Sequence, residues 1–178
     1  MRRPWVIAAL ATALMAEPVS AQSRVGYFIG AGSLSPTGRF GEFAKGGWMG
    51  AIGLSVPLGQ SRWSLQPTVF YGHASHEGSD GDASNIPGVA MGVGYALSTG
   101  GVMPYISAVS GILQHSFAGG GIGPTPGTDT QVLLGLGGGL GFGLGGTMLF
   151  LDARYTHAEN TRFMTFSVGL GFGGGGRQ

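Results

Sequence analysis

Two side chains near the middle of the chain, His73 and Ser75, are of types that perform hydrolysis together. A histidine within reach of a serine takes up the hydroxyl proton, and the oxygen then attacks an ester or amide, provided that a third group orients the imidazole. Residues two apart in a strand point to the same side, so His73 and Ser75 would share a face. Proximity in sequence identifies no orienting group, and hydrolysis is therefore the less favoured hypothesis.

A second pair, Asp152 and Arg154, places opposite charges two residues apart in the middle of a predicted strand. Charge is tolerated away from water only when it is paired or hydrated. On the inward face of a closed sheet, the two residues would form either a structural ion pair or a polar constriction in a pore. About eight strands enclose an interior that side chains largely fill, which favours the ion pair.

The spacing of Asp80, Asp82 and Ser84 matches the opening of a calcium-binding loop. The glycine and the bidentate glutamate that such a loop needs later are missing, so a solvated loop tip is the favoured interpretation. The glycines do not form a phosphate-binding loop, and no histidine or acidic pair recurs at metal-binding spacing. We predict neither a metal nor a cofactor.

The first residues have the organisation of a secretory signal peptide. An arginine pair at positions 2–3 precedes an apolar stretch, and residues 19–21 form a small-x-small cleavage site, so we predict removal of residues 1–21 and a mature domain at 22–178. The mature chain keeps seven basic and seven acidic side chains, which argues against a nucleic-acid partner. There is no cysteine, and no later apolar run reaches the ~20 residues of a membrane-spanning helix.

The chain contains 38 glycines, and they alternate with Leu, Val, Ile and Phe instead of forming polar tracts. A period of two predicts strands with one apolar and one small or polar face. The alternation is strongest at 132–144 and recurs in the closing segment. Eight strands are predicted near residues 25–32, 48–56, 63–71, 88–97, 102–113, 132–144, 149–156 and 163–172.

The predicted connections alternate in length along the chain. Long polar connections follow the first, third and fifth strands, the later two at 75–85 and 115–130, whereas short ones follow the second, fourth and sixth strands and one of medium length follows the seventh. An even number of strands with this alternation is typical of an all-β, eight-stranded antiparallel up-and-down transmembrane β-barrel. Such a barrel has long extracellular loops and tight periplasmic turns, so we expect periplasmic termini.

Eight aromatic residues on the predicted outward face sort by height. Five fall at one end of their strands and three at the other, with Leu, Val, Ile and Ala between them. A lipid slab with wet interfaces selects this arrangement, and outer-membrane lipid is the predicted partner of this face. The five are Tyr27, Trp63, Tyr95, Phe142 and Phe172, and the three are Trp48, Tyr71 and Tyr155.

The inward glycines leave space that larger inward side chains must occupy. We expect those side chains to lie across the glycines of neighbouring strands and to plug most of the lumen. The side chains in question are Phe28, Met49, Phe70, Tyr105 and Phe150.

Four segments stand out along the mature chain: GYFIGAG at 26–32, PYISA at 104–108, LDARYT at 151–156 and FSVGLGF at 166–172. Together they resemble the small outer-membrane β-barrel family of opacity-type adhesins and the barrel domain of the major outer-membrane structural protein. The resemblance implies insertion by the barrel-assembly machinery and a surface ligand bound through the loops. The chain departs from the family in its tail at 173–178 and in lacking a large charged interior network.

These patterns favour a non-enzymatic outer-membrane barrel with a structural or surface-interaction role. One alternative is a lipid-modifying barrel enzyme, because His73 and Ser75 also resemble the His-x-Ser motif of outer-membrane lipid A deacylases. That family continues with Asn-Ala, where this chain has His76 and Glu77. A narrow channel is the other alternative.

Overall fold

The computed structural model describes residues 25–76, 83–118 and 128–173. The predicted signal peptide, the segments 77–82 and 119–127, and the last five residues lie outside the described part. Among the described residues, no helix is long and apolar enough to cross a membrane.

The described chain forms one closed antiparallel barrel in which each strand pairs with its neighbours in sequence. The predicted eight-stranded up-and-down barrel is therefore confirmed. A short 3-10 helix, Gly38–Glu42, lies between the first two strands. The strands are β1 (Gly26–Thr37), β2 (Ala44–Pro57), β3 (Trp63–His76), β4 (Ala83–Ala96), β5 (Val102–Ala118), β6 (Thr128–Leu144), β7 (Thr147–Ala158) and β8 (Arg162–Phe172).

The barrel closes by pairing β1 with β8 in an unbroken register. Tyr27 lies opposite Phe172 and Thr37 opposite Arg162, so every residue of β8 has a partner in β1. The rings of Tyr27 and Phe172 stack with centroids 5.1 Å apart. Closure leaves no unpaired sheet edge, which would otherwise recruit strands from other chains.

The two ends of the barrel differ. We call the end at which β1 begins and β8 ends, with the connections 58–62, 97–101 and 145–146, the turn end, and the opposite end the loop end. At the turn end, Gly145 adopts a positive φ of 68° in the predicted two-residue hairpin.

At the loop end, the predicted connection lengths are wrong. The strands continue well beyond the predicted boundaries, so that segments assigned to loops pair as strands. Within the described residues, the β1–β2 and β7–β8 connections shorten to 38–43 and 159–161, and β3, β4, β5 and β6 each extend into the segments predicted as loops. Backbone pairing persists there because the inward side chains of the extensions pack together and bury apolar surface.

The main buried core fills the loop end of the lumen. Its members approach the barrel axis from every strand, and the largest of them are almost completely buried. Without this core the extended strand ends would gain little from pairing, since isolated hairpins are marginal in water. The large buried side chains are Leu34, Phe40, Ile86, Leu113, Leu133 and Phe163.

The outward face is apolar along the rest of the barrel. Leu136 is 71% exposed and Val132 is 68% exposed, although both are large aliphatic residues. Exposed aliphatic residues also occur on all the other strands. A continuous exposed apolar belt of this kind is the surface that a membrane barrel presents to lipid. We call this belt the apolar band.

Inside the lumen, at the height of the apolar band, the aromatic rings lie over glycines as predicted. Phe28 is opposite Gly53 in the β1–β2 register, and a Cβ at Gly53 would lie 2.6 Å from the Phe28 ring. The same arrangement joins Phe150 to Gly169 between β7 and β8. The glycines therefore act as recesses that receive the rings.

Candidate surface site at the loop end

The 3-10 helix turns back into the mouth of the barrel at the loop end. Gly38 enters it with a φ of 57°, a conformation that glycine adopts without the steric cost of a side chain. The turn places Phe40 inside the barrel with none of its surface exposed. Phe40 packs edge-on against His115 at a centroid distance of 5.2 Å, and Phe43 packs in the same way against His76 at 5.6 Å. The 3-10 helix thus closes the loop end of the lumen from inside the barrel.

Beneath Phe40, four polar side chains from β3, β4, β5 and the β7–β8 connection form a chain of contacts. The Ser84 Oγ lies 2.8 Å from Nε2 of His76 and 2.8 Å from Nε2 of His115. The Thr161 Oγ1 lies 3.1 Å from Nδ1 of His115. A hydroxyl has one proton to donate, so at least one of the two imidazoles donates to Ser84. We call these four residues the histidine network.

The histidine network lies beyond the apolar band. Gln114 and Thr130, which point outward beside His115, are polar, exposed and paired with each other. Burial lowers the pKa of His115 to about 4, with a further lowering from nearby His76 that Asp129 partly opposes. His115 is therefore neutral at pH 7.

Burial also limits the chemistry that the histidine network can perform. Ser84 and Thr161 are completely buried and His115 nearly so, and no substrate can approach the serine oxygen. We assign these residues to bracing the loop end. The position of Ser84 also corrects the predicted solvated loop tip, because Ser84 lies in β4 and not in a loop. Asp80 and Asp82 lie outside the described residues, and no group of three metal-binding side chains occurs in the described ranges.

On the outer surface at the same end, His73 lies beside a group that the sequence did not identify. Asn85 of β4 is opposite His73 of β3. Its Oδ1 is 3.0 Å from Nδ1 of His73 and accepts a hydrogen bond of 2.7 Å from the Tyr71 hydroxyl. The Trp48 indole stacks on the His73 ring at 6.2 Å and meets the Tyr71 ring at 5.6 Å.

The contacts with Asn85 and Trp48 orient His73 but do not include Ser75. Ser75 is exposed at the adjacent outward position, and no hydrogen bond links it to His73 among the residues that the structure describes. The predicted hydrolytic pair thus gains an orienting group without a contact between base and nucleophile. Asn85 was missed because only the β3–β4 register brings it to His73.

Deeper in the lumen, Asp152 and Arg154 take part in a network that links β5 and β7. The Arg154 Nη2 lies 3.4 Å from Asp152 Oδ2 and donates to the Ser107 hydroxyl at 3.3 Å. The Tyr105 hydroxyl donates to Asp152 Oδ2 at 3.0 Å. Of the two charged side chains, Asp152 is the more deeply buried, at 8% exposure.

Two glycines of β6 make this network possible. Gly139 lies between Tyr105 and Asp152 in the sheet, and Gly137 lies between Ser107 and Arg154. A Cβ at Gly139 would come within 2.7 Å of the Tyr105 oxygen. The inward side chains of β5 and β7 therefore contact each other across β6, because the two glycines of β6 place no side chain between them.

The predicted interface aromatics lie at two levels of the outward face. At the turn end, Trp63 and Tyr95 are opposite each other with centroids 4.7 Å apart. At the loop end, Trp48 and Tyr71 lie several residues inside their strands, because the strands continue beyond the apolar band. The other members are Tyr27 and Phe172 in their stacked pair, Phe142 near the turn end of β6, and Tyr155 near the loop end of β7.

Comparison with known proteins supports the fold class. No family model matches the chain, and no curated protein matches it. The fold and the exposed apolar band define an eight-stranded β-barrel of the outer-membrane type. The solved structure of Neisserial surface protein A is similar, with a TM-score of 0.62 and 16% sequence identity, over 86% of this chain and 99% of that one.

Two further barrels show the same architecture. The N-terminal β-barrel domain of Pseudomonas aeruginosa OprF has a TM-score of 0.54 and 15% identity, over 83% of this chain and 96% of that chain. The attachment invasion locus protein Ail of Yersinia pestis has a TM-score of 0.55 and 14% identity, over 84% of this chain and 95% of that chain. At these identities the likeness concerns the fold, and the fold is that of outer-membrane barrels.

Proposed function

We propose that this protein is a non-enzymatic outer-membrane barrel that acts in envelope structure or surface contact through its loop end. In this proposal the loop end faces the outside of the cell and the termini face the periplasm. The observation that carries it is the closure of the loop end from within. Phe40 and the histidine network occupy the mouth of the lumen, which favours contact at the outer surface of the loop end over passage through a pore.

The lumen below this closure also favours contact over transport. Aromatic rings lie across the inward glycines, and the Asp152–Arg154 network crosses between β5 and β7. Eight-stranded barrels have interiors that side chains can fill. A narrow channel is therefore the weaker alternative, and we assign Asp152 and Arg154 to bracing the wall.

The orientation can be tested with single cysteines, since the chain has none of its own. Ser79→Cys changes a residue between β3 and β4 in the sequence, and Ser98→Cys changes a residue of the connection 97–101 at the turn end. A membrane-impermeant maleimide applied to intact cells should label S79C and spare S98C until the cells are lysed. Labelling of S98C alone would reverse the orientation and overturn the surface role.

Reconstitution into liposomes distinguishes the proposed surface-contact role from transport through the lumen. Liposomes containing the purified barrel should remain as impermeable to small sugars as liposomes without it. Rapid swelling in sugar solutions would contradict the proposal and favour the channel.

A lipid-modifying enzyme is a second candidate, favoured by one observation. Asn85 supplies His73 with the orienting group that nucleophilic catalysis needs. We expect unchanged lipid A acylation when the wild-type protein is overexpressed. If overexpression instead removes an acyl chain from lipid A, and if His73→Ala and Ser75→Ala each abolish that loss, the protein is a lipid-modifying enzyme.

A further inference from the structure

The two histidines of the histidine network share one hydrogen-bond partner. Nε2 of His76 and Nε2 of His115 each lie 2.8 Å from the Ser84 Oγ, so the two ring nitrogens are within two hydrogen-bond lengths of each other. The histidines belong to β3 and β5, which flank the strand that carries Ser84. Their proximity is therefore fixed by the barrel itself.

The number of protons in the histidine network determines whether its polar atoms are satisfied. A hydroxyl donates one hydrogen bond, and a neutral imidazole has one donor and one acceptor nitrogen. With neither or one of the histidines protonated, Ser84 can accept from one ring and donate to the other. With both protonated, both Nε2 atoms are donors, and the Ser84 proton has no acceptor in the network. Two cations then share one buried oxygen, which is costly away from water.

The charged groups around His115 compensate a positive charge only in part. Asp129 of β6 is opposite His115 in the register and is the carboxylate that acts on it, but Asp129 is exposed. The charged residues of the 3-10 helix and of the β7–β8 connection, Arg39, Glu42 and Glu159, are exposed as well. Exposed charges are screened by water and salt, so a buried imidazolium gains little from them.

Two aromatic rings of the β1–β2 connection keep water away from the imidazoles. Phe40, which has no exposed surface, packs on His115, and Phe43 packs on His76. A buried cation needs hydration or a counter-charge. Withdrawal of the two rings would give the protonated histidines access to water.

The 3-10 helix is the element at the mouth that can move without disrupting the barrel. Residues 38–43 take no part in the β1–β2, β1–β8 or β2–β3 registers. The segment begins at Gly38, with its φ of 57°, and the β2–β3 register is irregular between Ala44 and Gly47, just after the segment ends. Hinge motions are absorbed at a few positions of this kind at the ends of elements.

We propose that the 3-10 helix is an acid-sensitive cover, which withdraws Phe40 from the mouth of the barrel when both histidines of the network are protonated. Burial lowers the pKa of His115 to about 4 in the closed state, against an ordinary value of 6.5, so the closed state binds fewer protons than an open one. A fall in pH between these values therefore shifts the equilibrium towards the open state.

The inference rests on the closed mouth that also supports the proposed function, but it concerns the response of that mouth to acid. The maleimide and swelling experiments test the surface role, and a distance measurement tests the cover. Failure of one is therefore distinguishable from failure of the other.

The movement can be measured as a distance between two spin labels, because the chain has no cysteine of its own. Arg39→Cys places one label on the 3-10 helix, and Ser98→Cys places the other at the turn end. In the control pair, Ser33→Cys, at an exposed position of β1, replaces Arg39→Cys. The purified full-length mature protein in nanodiscs is measured by double electron–electron resonance from pH 7.5 to 4, and heat-modifiable migration on a gel verifies folding.

We expect the R39C/S98C pair to give one distance at pH 7.5 and a second distance whose share grows as the pH is lowered towards 4. The S33C/S98C pair should keep one distance throughout. His76→Gln or His115→Gln removes one of the two charges while keeping a donor and an acceptor. Each should reduce the open share at least several-fold at a pH where the wild type opens.

A single R39C/S98C distance at every pH in a folded barrel would overturn the proposal. Opening at the same pH in the wild type and in the glutamine variants would also overturn it, as would an equal change in the S33C/S98C pair, which would assign the movement to the whole barrel. If one glutamine variant does not fold, the other decides, because the loss of either charge should keep the cover closed.

Discussion

The ring of Phe70 lies over Gly88, the residue directly opposite it in the β3–β4 register. The three atoms nearest to a Cβ built at Gly88 would all be ring carbons of Phe70. The pair is one of several in which an inward aromatic ring occupies the recess left by a glycine on the next strand. This relationship explains how a lumen with so many glycines can still be filled.

We expect Gly88→Ala to destabilise the barrel by about 1–3 kcal/mol, since overpacking forces side chains off their preferred rotamers. Urea unfolding in lipid vesicles, followed by tryptophan fluorescence, measures the change. Gly143→Ala is the control, because nothing lies within 4 Å of a Cβ there. Phe70→Leu should restore part of the stability of G88A, and a double variant as unstable as G88A would refute the recess account.

Removing Arg154 should leave the buried Asp152 carboxylate without its ion-pair partner. We expect Arg154→Met to cost about 3–5 kcal/mol, the range for breaking a buried pair. Asp152→Asn together with R154M removes both charges and should recover much of the loss. A conductance change in R154M without a change in unfolding free energy would instead favour a pore constriction.

The stability of the loop end should depend on pH through His115. Its pKa is about 4 in the folded protein, against an ordinary value of 6.5, so between these values the unfolded chain binds more protons. The stability is fully present above pH 6.5 and falls as the pH is lowered towards 4. Urea midpoints measured from pH 7.5 to 4.5 should decline in the wild type.

His115→Gln should flatten that decline, because it removes the group whose pKa is lowered on folding. His76 and Asp129 also face His115. An equal slope in H115Q and the wild type would show that protonation of His115 does not cause the decline in stability.

Replacing Phe40 should loosen the loop end selectively. Truncating a fully buried Phe to Ala costs about 3–5 kcal/mol when the surroundings cannot collapse. We expect Phe40→Ala to increase hydrogen exchange in the strand extensions around Ile86 and Leu113 while the apolar band stays protected. Uniform loss of protection along the strands would show that Phe40 supports the whole barrel and not its mouth.

The alternation of side chains was enough to predict the strands, their two faces and the closed barrel. That information is local, because the side-chain direction in a strand follows from residue number alone. The apolar outward residues of 132–144 and the glycines between them therefore have the predicted orientation. The same reasoning predicted that Phe28 and Phe150 would lie over glycines, although not which ones.

The loop end could not be predicted in this way. Leu34, Leu113 and Phe163 share a core because three strands distant in sequence converge there, and the polar residues around them had the composition of loops. The contact of His73 with Asn85, the burial of Ser84 between two histidines, and the inward turn of Phe40 all depend on strand register and on the path of a short connection. Period-two patterning determined which way each side chain points, and only the tertiary structure decided what it meets, because register relates residues that are far apart in the chain.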